Sequence, residues 1–134
     1  MTTCLKTSKK LWDAGVRLKT DLWWCNYIIS YGKTTIELLD DFSEGDYTKV
    51  EKLYPSPSTD ELLEVLPDKI EFCEKFWLVV EKIDNYYLVS YKNYNNENIL
   101  NDTIIQNKIL CEVLAELLLW LKQNYPESLE EKEC

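Results

Sequence analysis

Acidic side chains are the first candidates for chemistry, because neighbouring carboxylates such as Asp40-Asp41 and Asp60-Glu61 can divide general acid and general base roles between them. Cysteines are the second: Cys4, Cys25, Cys73, Cys111 and Cys134 could each offer a thiolate nucleophile. Histidine is absent from the 134 residues, which removes His-based triads, His acid–base catalysis and His-ligated metals. The surroundings of the remaining groups favour structural roles. Asp60 and Glu61 stand where a helix N-terminus favours negative charge, and Asp40-Asp41 opens a polar stretch. Cys25, Cys73 and Cys111 lie beside large apolar residues, where a free cysteine packs as a small hydrophobe, while Cys4 and Cys134 near the chain ends are expected to be exposed. The five are widely spaced and form no C-x-x-C pair, so reduced thiols are expected rather than a disulfide framework or a zinc site. The three glycines stand alone at 15, 32 and 45 and make no phosphate-cradling loop. No catalytic residue, cofactor or metal is expected.

Charge narrows the partners. The net charge is −9, which disfavours nucleic acid and anionic membrane. Residues 37–74 hold twelve acids against three bases, so this segment alone accounts for the excess. It is either a solvated face or a surface for a basic partner, with Asp40, Asp41, Glu44 and Asp46 as its candidate contacts. Trp12, Arg17, Lys19, Trp23 and Trp24 interleave bases with aromatics as single-strand binders do, but tryptophans in a strand usually serve a core, and the net charge opposes that use. No stretch approaches the about 18 uninterrupted apolar residues of a membrane span, and the first eleven residues carry no apolar leader, so a soluble protein inside the cell is expected.

The elements that would position these groups follow from pattern. Residues 8–16 read as a short helix with Leu11, Trp12 and Val16 on one face and Gly15 as its stop. Residues 21–31 read as a strand whose alternating face carries Trp23, Cys25, Tyr27, Ile29 and Tyr31. Residues 34–39 suit either a second strand or a capped helical turn, and 40–58 reads as a long surface connection. Ser58-x-x-Glu61 is a capping box that starts a helix over 59–66, which Pro67 ends. Residues 75–93 form two strands around Asp84-Asn85, residues that tolerate the positive φ of a type I′ turn. A two-residue loop pairs Ile83 with Tyr86, Val80 with Val89 and Leu78 with Tyr91. Phe76, Leu78, Val80, Tyr87, Val89 and Tyr91 then share one face, and Trp77, Val79, Ile83, Tyr86 and Leu88 the other.

A long helix is expected from Thr103, whose spacing to Gln106 suggests another capping box, to Asn124. Lys108, Glu112, Glu116 and Gln123 form its polar stripe, and its bed is a sheet made by residues 21–31 and 75–92. The chain therefore reads as an α+β protein. A single domain over 1–126, a small mainly antiparallel sheet under a long C-terminal helix with short additional helices, precedes a polar tail, 127–134.

The order of elements, with "LYPSPSTDELLEVLP", an aromatic two-stranded run and "LAELLLWLKQN", resembles small proteins of unknown function encoded by phages and prophages of gut bacteria. The resemblance covers roughly residues 5–125, rests on structural residues and carries over no catalytic residue. It implies a mobile-element origin and the cytoplasm of a bacterial host. With it, the sequence suggests a non-enzymatic accessory protein that binds another protein, counter-defence being one such role, through the acidic segment or through the hairpin face of Trp77, Val79, Ile83 and Tyr86. The rivals are a self-associating structural protein, dimeric through that hairpin face, and a small enzyme using cysteine or carboxylates.

Overall fold

The computed structural model describes residues 1–30, 33–40, 51–71 and 73–130. Helix α1, Leu5–Asp13, ends where Ala14 closes the last turn and Gly15 takes a φ of +86°, a left-handed conformation that glycine adopts without a Cβ penalty. The Val16 amide reaches back to the Leu11 carbonyl and the Gly15 amide to that of Trp12, the two bonds of a Schellman motif, and Leu11 and Val16 are both buried.

Strand β1, Leu22–Ser30, pairs antiparallel with β2, Lys33–Asp40, on one edge and with β3, Glu51–Pro55, on the other. The open choice at 34–39 is thus decided for strand. Residues 51–55, expected to be part of a surface connection, form a strand instead, because β1 still has an unpaired edge for that backbone to bond. Helix α2, Thr59–Val65, begins on the expected capping box: the Glu61 amide donates to Ser58 Oγ (3.2 Å) and the Ser58 amide to Glu61 Oε1 (2.9 Å). It packs on the long C-terminal helix.

Strands β4 (Lys69–Glu71), β5 (Lys75–Ile83), β6 (Tyr86–Lys92) and β7 (Ile105–Asn107) form a second antiparallel sheet in sequence order. The β5–β6 register has the expected partners, Ile83 with Tyr86, Val80 with Val89 and Leu78 with Tyr91. Asp84 and Asn85 carry φ of 50° and 70°, the two left-handed positions of the expected turn.

Helix α3, Leu110–Asn124, starts seven residues later than expected, because Ile105–Asn107 is strand and buries Ile105 beside β6. The Thr103 amide bonds the Leu100 carbonyl in a turn and starts no helix. Val113, Leu114, Ala115, Leu117, Leu118 and Leu121 are buried around most of the circumference of α3, with β6 and β7 on one side and α1 and α2 also against it. Strand β1 does not join this sheet as expected: its partners are its sequence neighbours β2 and β3, and a separate small cluster of Cys25 and Leu39 with Trp23 sits there. The α+β class stands, built from two sheets rather than one. In the expected tail, Glu127–Glu130 forms a short helix, α4, whose Leu129 packs against the main core.

Candidate interaction surface

The β4–β7 sheet has two unlike faces. Ile70, Phe76, Leu78, Tyr87, Val89, Tyr91 and Ile105 belong to the core built around α3, as the period-two pattern requires. On the outer face, cross-strand pairing puts Lys69, Trp77 and Lys92 in one row, Val79 and Ser90 in the next, then Glu81, Leu88 and Gln106, and last Ile83 with Tyr86. None of these side chains belongs to the main cluster, and Ile83 and Tyr86 are 50% and 39% exposed. The expected contacts Trp77, Val79, Ile83 and Tyr86 therefore share one surface, with Trp77 and Val79 half-buried among their neighbours.

Two features of this face escaped the sequence reading. Tyr94, 89% exposed, lays its ring against Trp77 at a centroid distance of 4.7 Å, which extends the aromatic surface beyond the strands. Asn93 fixes the turn that presents it: its side-chain oxygen accepts from the Asn95 and Glu97 amides (2.9 Å each), and its amide nitrogen donates to Glu74 (3.0 Å). Charge is the other feature. Lys69, Lys75 and Lys92 lie on this face with Lys108 over the Tyr86 ring at 5.5 Å, while Glu71 and Glu81 lie on its strands and Glu74 borders it at Asn93. Glu81 pairs with Lys92 at 3.0 Å and Glu71 with Lys69 at 3.2 Å, and Lys69 holds the Glu71 carboxyl below the ordinary carboxylate range. A chain of net charge −9 thus carries a cationic, aromatic sheet face.

Asp40 closes β2 opposite Leu22, and Asp41, Glu44 and Asp46 lie outside the described residues. Asp60 and Glu61 occupy the first turn of α2, with Glu61 Oε1 accepting the Ser58 amide and the Thr20 hydroxyl (2.8 Å).

Glu112 corrects the expectation of a solvated polar stripe on the last helix. It is 8% exposed, its Oε1 accepts the Cys4 amide at 2.7 Å, and its Oε2 accepts the Thr7 hydroxyl. Helix α1 has no side-chain cap and no acid in its first turn, so a carboxylate from α3 supplies the missing acceptor and negative charge. The Cys4 thiol in turn bonds Thr7 Oγ1 at 3.3 Å. Cys25 and Cys111 are buried, whereas Cys73, expected to pack, is exposed because it falls in the turn between β4 and β5. Burial first and the Glu112 charge second push the Cys111 thiol pKa up, against thiolate chemistry. Among the described residues no group of three acids or cysteines could hold a metal.

The interleaved bases and aromatics pair with each other. Arg17 lies over the Trp12 ring at 3.5 Å and donates to the Trp12 and Val16 carbonyls, Trp12 meets Trp23 edge-on at 6.1 Å, and Trp24 Nε1 donates to the Thr3 carbonyl. No helix among the described residues is long and apolar enough to cross a membrane. No protein-family model, no curated protein and no solved structure matches the chain.

Proposed function

We propose that the chain is a non-enzymatic accessory protein of a phage or related mobile element, and that it binds an acidic, extended segment of a partner protein on the outer face of the β4–β7 sheet. The observation that supports this reading is the local reversal of charge. Four lysines surround Trp77, Val79, Ile83 and Tyr86 on that face, while the chain as a whole is strongly acidic. Exposed aromatics and aliphatics ringed by cations provide buried anchors and a polar rim. An acidic peptide segment matches this rim with a far lower charge density than a nucleic-acid backbone, which the net charge would repel.

The test is selection from a random-peptide display library against the full chain, repeated with Ile83→Asp and with Trp77→Ala. Acidic sequences should be enriched, their binding should weaken with salt, and both substitutions should abolish it. Enrichment without acidic bias, or enrichment indifferent to both substitutions, overturns the reading. A single-stranded oligonucleotide that competes for the same face more strongly than the selected peptides would replace the protein partner. A micromolar dimer broken by Trp77→Glu would make a second copy the occupant.

A further inference from the structure

Beside the connection from α1 to β1, a cleft of 790 Å3 opens toward α2, α3 and α4. Its volume lies within the range of about 300–1,000 Å3 that accommodates small ligands. Val65, Leu118 and Leu129 give it an apolar lining, with Val16 and Leu18 at the other wall. Its rim carries Arg17, Lys19 and Lys122. Lys19 and Lys122 form no ion pair among the described residues, and both are exposed. Arg17 is already oriented: the stack on Trp12 and the two bonds from Nη1 fix the guanidinium and leave Nη2 without an acceptor among the described residues.

The lining also carries two acids, Glu61 and Glu64, beside the three cations. Glu61 is committed to the capping box and to Thr20, and Glu64 also has a partner. A depression of 520 Å3 shares Leu18, Lys19 and Glu61 with the cleft and continues to Trp23 and Lys52. An apolar floor under oriented or unpaired cations matches a ligand with an apolar body and one anionic end. We propose that this cleft binds a small amphipathic carboxylate, its hydrocarbon part on Val65, Leu118 and Leu129 and its carboxylate on the cations of the rim. The site shares no residue with the sheet face, so it stands or falls independently of the proposed protein binding.

The test is a methyl chemical-shift titration of the full chain with octanoate, run beside neutral 1-octanol and beside acetate. Octanoate should give saturable shifts centred on Val65, Leu118 and Leu129, with 1-octanol and acetate each much weaker. Replacing both lysines (Lys19→Ala with Lys122→Ala) should weaken octanoate roughly ten- to a hundredfold, the loss of charge-assisted contacts, while leaving the amide spectrum folded. Absence of saturable shifts, equal binding of 1-octanol, or unchanged affinity in the lysine variant each overturns the proposal. Ile83→Asp on the sheet face should leave octanoate binding intact.

Discussion

Replacing Glu112 should detach the first turn of α1 from α3, and the size of the effect follows from what the carboxylate touches. It accepts the Cys4 amide and the Thr7 hydroxyl in a site that is 8% exposed. Hydrogen bonds to a charged group contribute about 1.5–3 kcal/mol each, and the amide stranded by truncation has little access to water. Glu112→Ala should therefore cost about 3 kcal/mol, less whatever solvent regains through the partial opening. Glu112→Gln keeps an oxygen for the Cys4 amide and lets Thr7 turn its hydroxyl to accept, so it should cost about 1 kcal/mol.

Urea unfolding followed by tryptophan fluorescence measures both, and in thermal melts the alanine variant should lose roughly 10 °C. Thr7→Val combined with Glu112→Ala should then show coupling of about 1–2 kcal/mol, since the two side chains share one bond. A loss under about 0.5 kcal/mol in Glu112→Ala would refute the reasoning, as this is the scale of an ordinary surface substitution. Additivity of the Thr7 and Glu112 effects would equally refute the shared contact.

Tyr91 is buried with its hydroxyl donating to the Pro67 carbonyl at 2.8 Å, and burial first, with the Asp68 charge second, raises its phenol pKa. Because the native state holds this proton more tightly than the unfolded chain, its contribution is complete below about pH 10 and is lost as pH rises further; in the alkaline absorbance titration, Tyr91→Phe should leave the native-state phenolate signal unchanged until unfolding begins. At the hairpin turn, Asn85→Gly should be neutral or stabilising by up to about 1 kcal/mol, whereas Asn85→Val should cost about 1–2 kcal/mol because a β-branched residue resists the φ of 70°, both read from urea midpoints. Thiol labelling of a Cys134→Ser background should modify Cys4 and Cys73 in the native protein, and Cys25 and Cys111 after denaturation alone; rapid native labelling of Cys111 would contradict its burial.

Legibility in the sequence followed the range of the interactions involved. The Asp84-Asn85 turn, the Ser58–Glu61 box and the Gly15 stop are written within a few residues, and each formed as read. The outer hairpin face was legible because alternation and a two-residue turn leave one register. What escaped depends on distant partners. Residues 105–107 follow the Thr103–Gln106 spacing that suggested a helix start, yet β6 offers them a free edge and takes them as strand. Glu112 fits the polar stripe of a helical wheel, and the wheel contains no knowledge of the Cys4 amide and Thr7 hydroxyl beside it. Lys69, Lys92 and Lys108 look scattered along the chain until strand pairing gathers them around Trp77 and Tyr86.

The leucine-rich α3 sets how the other helices are arranged. A helix apolar around most of its circumference must be wrapped, and here β6 and β7 lie on one side with α1, α2 and α4 also against it. Helices α1, α2 and α4 each pack on α3, which itself packs on β6 and β7. The outer face carries Trp77, Ile83, Tyr86 and Tyr94, none of which belongs to the main core cluster. Polar residues at the exposed positions Ile83, Tyr86 and Tyr94 would serve solubility better. The aromatic and cationic composition of that face is what the proposed binding of an acidic segment would use.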